Sequence, residues 1–286
     1  MASSRLSDLV EALRLEHPIF ALPFAYLGLW VAADGFPAWN IVGWVTLAMV
    51  TARTAGMALN RVIDLPLDKL NPRTSAWPVP AGRISRRFLI GLTLMAGLIF
   101  FTSAWRLNPL CFKLSPLAFG LMILYPYLKR FTWVCHFGLG LVLACAPAAG
   151  WLAVTGHWDP AIWPLSLGVL FWVAGFDILY ALLDLDFDRA HGVYSIPQRF
   201  GCEKALTFSG FCHLLAVFGF GWFGMFTGRG VWFWIGWLLV AALLIYEHRL
   251  VRPSTLNRVN RVFFTINGWI SVSFFLFTIL DLKGSL

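Results

Sequence analysis

Two sets of aspartates are candidates for a catalytic or ligand-binding site, because each places a polar side chain at every third or fourth residue. The first set reads Asn60-Arg-Val-Ile-Asp64-Leu-Pro-Leu-Asp68, and the second reads Asp177-Ile-Leu-Tyr180-Ala-Leu-Leu-Asp184-Leu-Asp186-Phe-Asp188. Residues at this spacing lie on one face of an α-helix, so each set predicts a polar stripe. Pro66 could disturb the first stripe near Asp68, and Asp186 is expected to point away from the second.

Carboxylates gathered at one membrane boundary repel each other, so we expect a cation to bind between them. Mg²⁺ is the natural candidate because it is held by one or two carboxylates, water and the oxygens of a phosphate substrate. Two such faces opposite each other would suit a Mg²⁺-bound diphosphate. Basic side chains could neutralise the remaining phosphate charge, namely Arg73, Arg83, Lys129 and Arg130. Solvated ion pairs between the aspartates and loop arginines are the alternative interpretation.

The composition indicates the kind of protein that must position these side chains. Of the 286 residues, 59% are hydrophobic and 13% charged, and the mean hydropathy is +0.74. Soluble domains carry about 25% charged residues, so we expect a polytopic membrane protein in one integral domain over residues 1–286. The net charge of +8 is attributed to the excess of Lys and Arg on the inner membrane face, and no nucleic-acid partner is expected.

Apolar runs long enough to cross a bilayer predict an all-α integral membrane fold with nine transmembrane helices. The runs lie near residues 18–34, 41–63, 88–105, 110–128, 135–155, 161–183, 204–226, 231–248 and 262–281. With the N-terminus inside, 17 Lys and Arg lie on the inner side and 4 on the outer side, with Arg53 inside the membrane. This asymmetry predicts a cytoplasmic-membrane protein whose two acidic sets face the cytoplasm.

The two acidic sets also repeat at a fixed interval. The same 120 residues separate Asp64 from Asp184 and Asp68 from Asp188. Four predicted spans lie between the sets, so both emerge on the same side of the membrane. We therefore expect a parallel internal duplication in which two equivalent helix ends meet across a central cavity.

At these residues the sequence resembles the UbiA superfamily of intramembrane prenyltransferases. Three segments carry the resemblance, in order along the chain: Asn60 to Gly82 (NRVIDLPLDKLNPRTSAWPVPAG), Tyr125 to Thr132 (YPYLKRFT), and Asp177 to Gly201 (DILYALLDLDFDRAHGVYSIPQRFG). The resemblance covers essentially the whole chain and implies nine transmembrane helices around a central cavity. It implies that Mg²⁺ and the diphosphate are held by Asn60, Asp64, Asp68, Asp184 and Asp188.

The activity that the resemblance implies is transfer of a polyprenyl group from a polyprenyl diphosphate to an aromatic acid in ubiquinone or menaquinone biosynthesis. Arg53 matches a family arginine, and either Arg53 or Arg130 is expected to hold the acceptor carboxylate. Tyr125 or Tyr127 could stabilise the allylic cation that forms when the diphosphate leaves, or could orient a phosphate. Arg61 stands where 4-hydroxybenzoate enzymes of the family usually carry Asp. The combination of Asn60-Arg61 with Asn71-Pro-Arg-Thr74 more closely resembles the family's menaquinone branch, which implies a dihydroxynaphthoate acceptor.

Two other functions are compatible with parts of the pattern. One is a cation-coupled transporter that uses the aspartates for Na⁺ or H⁺, although the aspartates lie at span exits and not near the midplane. The other is a family member with a tetrapyrrole acceptor, although no feature of the sequence indicates a tetrapyrrole. The lipid bilayer is the expected environment in every case.

Overall fold

The structure is a computed structural model that describes residues 5–13, 21–251 and 259–284, and it is all-helical over these ranges. Twelve α-helices follow one another: α1 Arg5–Leu13, α2 Leu22–Ala33, α3 Trp39–Asp68, α4 Arg86–Leu107, α5 Pro109–Leu128, α6 Cys135–Thr155, α7 Ile162–Ala181, α8 Leu185–His191, α9 Ile196–Phe200, α10 Cys202–Phe226, α11 Val231–Leu250 and α12 Val259–Gly284. A short 3-10 turn, Leu182–Asp184, joins α7 to α8.

Eight segments of the described chain are long and apolar enough to cross a membrane, and they coincide with the second to ninth predicted spans. The first predicted span, 18–34, overlaps α2, which has only 12 residues in its described part. Residues 18–20 of that span, and the inner-face cations Arg14, Arg252 and Arg258, lie outside the described residues. The total of nine spans and the internal duplication therefore stay predictions.

The bundle is centred on α7, which packs most extensively against α10 and α6, while α2 packs against α6 and α3 against α4. Aromatic side chains fill the space between α2, α7, α10 and α12, with Phe24 5.0 Å from Trp172 and Phe220 5.0 Å from Phe274 between ring centroids. Helices approach closely where glycines face a neighbouring backbone. A Cβ at Gly150 of α6 would collide with the carbonyl oxygen of Ala25 on α2.

A buried polar chain ties α7, α11 and α12 together. The indole N–H of Trp172 donates to Asn267 Oδ1 at 2.8 Å, and Asn267 Nδ2 donates to Glu247 Oε1 at 2.8 Å. All three side chains are almost fully buried, so each depends on the others for its hydrogen bonds. This chain lies outside the cavity described below and is a structural link.

Two departures from the predicted boundaries shape the inner ends of α3 and α7. The second span was expected to end at residue 63, but α3 continues to Asp68 with the exposed Pro66 inside its last turn, so Asn60, Asp64 and Asp68 share one helix. The second acidic stripe, expected on one continuous helix, is instead interrupted by the 3-10 turn Leu182–Asp184. That turn breaks the α-helical register, so helical spacing alone does not place Asp184 and Asp188.

Candidate active site

A polar cavity of about 310 Å³ lies at one side of the bundle, between the C-terminal ends of α3, α5 and α7 and the N-terminal end of α6. Both acidic sets line it, together with residues of the 69–85 connection and of the turn before α6. The carboxylates that line it are Asp64, Asp68, Asp177, Asp184 and Asp188, whereas Asp186 is exposed and lies outside the lining. The convergence of the two sets on one cavity agrees with the arrangement that their spacing predicted.

In the first set, Asp64 is buried and Asp68 is partly buried, and both pair with cations. Asp64 Oδ2 lies 2.7 Å from Lys129 Nζ, and its Oδ1 lies 4.0 Å from an Arg130 nitrogen. Asp68 Oδ2 lies 3.8 Å from Arg61 Nη1. Asp64 Oδ1 and Asp68 Oδ2 are nevertheless buried without a hydrogen-bond partner among the described residues. These two oxygens are therefore available to a further ligand.

Arg61 is held by several groups besides Asp68. Its Nε donates to the carbonyl oxygen of Ala12 at 3.1 Å, so it stabilises the C-terminal end of α1. Its guanidinium carbon lies 4.2 Å from the centroid of the Trp77 ring. Arg61 thus holds α1 and the 69–85 connection against the first acidic set.

The second set is clamped by the 69–85 connection. Arg73 donates to both oxygens of Asp184, from Nε at 2.8 Å and from Nη2 at 2.5 Å, and Asn71 Nδ2 donates to Asp184 Oδ1 at 2.8 Å. Arg73 Nη1 also donates to the Tyr180 hydroxyl at 3.0 Å. Burial alone would lower the pKa of Arg73, but its hydrogen bonds to Asp184 and Tyr180 raise it above the usual value, so Arg73 stays cationic.

Lys129 connects the two sets. Besides its pair with Asp64, it is close enough for its charge to act on both Asp68 and Asp188. Its backbone carbonyl accepts the N–H of Tyr194 at 2.7 Å, which anchors the connection after α8. Asp188 itself accepts a hydrogen bond from the Ser195 hydroxyl at 3.0 Å. Lys129 therefore lies near three carboxylates, Asp64 and Asp68 of the first set and Asp188 of the second.

An Asp–His pair occupies another wall of the cavity. His136 Nδ1 lies 2.7 Å from Asp177 Oδ2, and the backbone N–H of Ile196 donates to His136 Nε2 at 3.2 Å. His136 is 2% exposed, whereas the Asp177 side chain is 27% exposed at the cavity wall. The sequence did not reveal this pair, since 41 residues separate its members.

A second, apolar cavity of about 130 Å³ adjoins the first, and Arg53, Met57, Tyr125, Leu139 and Leu143 line both. Among the described residues that line the apolar cavity, Arg53 is the one that carries a charge. Its Nε is buried and has no hydrogen-bond partner within the described part of the chain. An anionic group entering between the two cavities would meet an unpartnered guanidinium donor.

The structure places most of the expected site residues around the polar cavity, but not all of them. Asn60, Arg53, Arg73, Tyr125 and Lys129 line it with the four aspartates. Arg130, expected to contact a substrate, is not among the lining residues, because it donates to the Ile63 carbonyl oxygen at 2.6 Å. Arg83, expected to help neutralise phosphate, instead pairs with Asp8 at 2.9 Å.

The donor set fits Mg²⁺. Two buried carboxylate oxygens without hydrogen-bond partners face a cavity lined by further carboxylates, and Mg²⁺ prefers such hard oxygen ligands. Over residues 5–13, 21–251 and 259–284, no three His, Cys, Asp or Glu side chains form a ready metal cage.

Comparison with known proteins places this geometry in a family. The UbiA prenyltransferase family model matches residues 21–273. The 4-hydroxybenzoate octaprenyltransferase of Aromatoleum aromaticum is 31% identical over 282 residues, covering 98% of this chain and 95% of that protein. The apo structure of a UbiA homologue from Aeropyrum pernix K1 superposes with a TM-score of 0.86 at 34% identity, over 94% of this chain and 98% of that one.

A UbiA homologue from Archaeoglobus fulgidus, solved bound to DMAPP and Mg²⁺, has the same fold, with a TM-score of 0.75 at 19% identity over 96% of this chain and 99% of that one. The eight long apolar helices agree with a multi-pass membrane protein. The family match spans both acidic sets and every segment that lines the polar cavity. The chain belongs to the UbiA prenyltransferase family.

Proposed function

We propose that the protein transfers a polyprenyl group from a polyprenyl diphosphate to an aromatic acid, in a Mg²⁺-dependent reaction of ubiquinone or menaquinone biosynthesis. The observation that carries the proposal is the convergence of two acidic sets and several basic side chains on one cavity that adjoins an apolar one. The relatives named 4-hydroxybenzoate octaprenyltransferase support the same reaction class.

Asn60, Asp64, Asp68, Asp184 and Asp188 would hold Mg²⁺ with the diphosphate. When bound, the metal supplies Lewis-acid compensation of the negative charge on the leaving diphosphate. Lys129 and Arg73 contribute fixed positive charge beside it, and Arg73 exchanges its bonds to Asp184 for bonds to phosphate oxygens. The C–O bond breaks with its electron pair leaving on the diphosphate, and an allylic cation remains.

The surroundings of the two cavities suit a reactive cation. The second cavity is lined mainly by apolar side chains, so it offers the allylic carbon surroundings with little water, which would otherwise capture it. The Tyr125 side chain lines the junction of the cavities, where its ring can face the cation. The apolar side chains there also accommodate the first part of the prenyl tail.

The acceptor carboxylate is assigned to Arg53. Arg130, the other expected partner, is engaged with the Ile63 carbonyl and lies outside the cavity lining, whereas Arg53 has an unpartnered Nε at the junction. The aromatic ring would then lie along Met57, Leu139 and Leu143. Both 4-hydroxybenzoate and a dihydroxynaphthoate present the carboxylate and the electron-rich ring that this arrangement recognises.

The whole chain, residues 1–286, would act as one domain in the cytoplasmic membrane with the polar cavity open to the cytoplasm. The inner-side excess of Lys and Arg supports this orientation. The diphosphate and Mg²⁺ would enter from that side, and the prenyl tail from the bilayer.

Product analysis tests the proposal. Purified protein in nanodiscs is incubated with farnesyl diphosphate, Mg²⁺ and either 4-hydroxybenzoate or a dihydroxynaphthoate, and the products are identified by mass spectrometry. We expect a prenylated acid that disappears with EDTA and in Asp64→Asn, but persists in the matched control Asp186→Asn, whose side chain is exposed. Turnover that ignores EDTA, or cation flux without any prenylated product, would contradict the proposal.

A further inference from the structure

We propose that Asp177 is the base that removes the ring proton of the aromatic acceptor, and that His136 is a positioning residue that holds the Asp177 carboxylate at the cavity wall. This inference rests on the proposed function. It assigns a step that neither the diphosphate-facing aspartates nor the basic side chains perform.

Hydrogen bonding defines the His136 ring. The N–H of Ile196 donates to Nε2, so Nε2 carries no proton, and the hydrogen on Nδ1 is directed to Asp177 Oδ2. The ring is buried and held from both ends, which fixes the orientation of the carboxylate. His136 lies in the first turn of α6, and Asp177 lies in the last turns of α7, so the pair links the two helices that bound the cavity.

Asp177 differs from the other carboxylates of the cavity in its partners. Asp64 pairs with Lys129, Asp68 with Arg61 and Asp184 with Arg73. Asp188 forms no ion pair with Lys or Arg among the described residues, but it accepts a hydrogen bond from Ser195 and is assigned above to Mg²⁺ and the diphosphate. Among the ion pairs of the described residues, Asp177 pairs only with His136, and no hydrogen bond to its Oδ1 is formed there. A carboxylate without a Lys or Arg partner is the better proton acceptor, because a nearby cation stabilises the ionised form.

The position of Asp177 suits a ring held by Arg53. Tyr125 lies at the junction of the cavities, where the charges of both Arg53 and Asp177 act on its hydroxyl group. Leu139 and Leu143 follow His136 by about one and two turns of α6 and line both cavities. An aromatic acid anchored at Arg53 and lying along these leucines would present its ring edge toward Asp177.

The proton balance of the step is complete. A ring carbon donates a π-electron pair to the allylic carbon, forming the new C–C bond and a cationic ring intermediate. Asp177 takes the hydrogen from that same ring carbon, and the C–H electron pair restores the aromatic ring. The carboxylic acid formed at Asp177 then releases its proton to water in the polar cavity, so no oxidant or further reactant is needed.

A kinetic isotope effect tests the assignment. Wild-type protein and Asp177→Asn are compared with acceptor that carries hydrogen or deuterium at the prenylated ring carbon. In the wild type, proton loss is fast, and we expect no isotope effect. In Asp177→Asn, we expect transfer to fall by about 100-fold with a primary isotope effect, because loss of general base catalysis makes proton removal limiting. Calorimetric affinity for Mg²⁺ and farnesyl diphosphate should stay at the wild-type value.

His136 provides a second pair of variants. His136→Asn keeps an N–H near the position of Nδ1 and should retain most of the transfer rate, whereas His136→Leu removes the donor and should show slower transfer with an isotope effect. A purely structural role would lower the rate without any isotope effect.

The assignment is overturned if Asp177→Asn transfers at the wild-type rate, or if it is slow with no isotope effect while donor affinity is retained. Should Asp177→Asn fail to fold, equal rates and no isotope effect in His136→Asn and His136→Leu overturn it. Absence of transfer by the wild type with either acid would instead overturn the proposed function.

Discussion

The clamp of Arg73 on Asp184 makes a prediction that does not depend on catalysis. Arg73 spans both oxygens of Asp184 and also reaches the Tyr180 hydroxyl, which gives three hydrogen bonds from one guanidinium. Arg73→Lys keeps the charge, but one ammonium cannot span the same three acceptors, and we expect about two of the bonds to be lost. The 69–85 connection should then open more often.

The magnitude follows from the number and exposure of the lost bonds. Hydrogen bonds to charged groups contribute about 1.5 kcal/mol each at the lower end of their range, so two contribute about 3 kcal/mol. The Arg73 side chain is 26% exposed, and screening by solvent reduces this to about 2 kcal/mol. The opening equilibrium should therefore rise by about 30-fold.

Hydrogen–deuterium exchange of the substrate-free protein measures this opening. The backbone amides of Ser75 and Trp77, which donate to Asn71 and Thr74 in the connection, should exchange about 30-fold faster in Arg73→Lys. Arg87→Lys is the control, because Arg87 is exposed at the start of α4. Equal exchange of these amides in wild type and Arg73→Lys would refute the clamp.

Two further predictions concern the packing of the bundle. Gly150→Ala should lower the melting temperature by several degrees, because the new Cβ would collide with the α2 backbone and such overpacking costs about 1–3 kcal/mol. The control Gly43→Ala, where the new Cβ meets open space, should leave the melting temperature unchanged or raise it. Equal melting temperatures of the two variants would contradict the close approach of α6 and α2. Asn267→Ala should lower the free energy of unfolding by about 2–4 kcal/mol, because it leaves the buried Trp172 and Glu247 side chains without their hydrogen-bond partner. A melting curve of the variant in nanodiscs that matches the wild type would show that these hydrogen bonds contribute little to stability.

Much of the helical architecture could be predicted from the sequence because each span carries its own signal. Apolar runs bounded by charged, Pro and Gly residues predicted eight spans to within a few residues. The end of α3 was predicted too early, because α3 continues through Pro66 although this residue has no N–H to donate to the Val62 carbonyl. The 3-10 turn at Leu182–Asp184 had no local signal, since helical spacing continues through it.

The site was predicted in its acidic part and missed in its tertiary contacts. The aspartate spacing and the shared side of the membrane were sufficient to predict that Asp64 and Asp184 would face one cavity. The clamp of Arg73 on Asp184 and the pairing of His136 with Asp177 join residues 111 and 41 positions apart, and nothing in local spacing encodes them. The hydrogen bond from Arg130 to a backbone carbonyl could not be predicted either, because every residue has a backbone carbonyl and the side-chain pattern does not indicate which one accepts.

The central claim is that the two acidic sets hold one diphosphate together. It is tested most directly by calorimetry of a non-cleavable farnesyl thiodiphosphate analogue with Mg²⁺, in wild type, Asp64→Asn, Asp184→Asn and the double variant. We expect each single variant to lose most of the Mg²⁺-dependent affinity and the double variant to lose less than the sum of the two losses, because both sets act on the same ligand. Wild-type affinity in either single variant, or strictly additive losses, would contradict it.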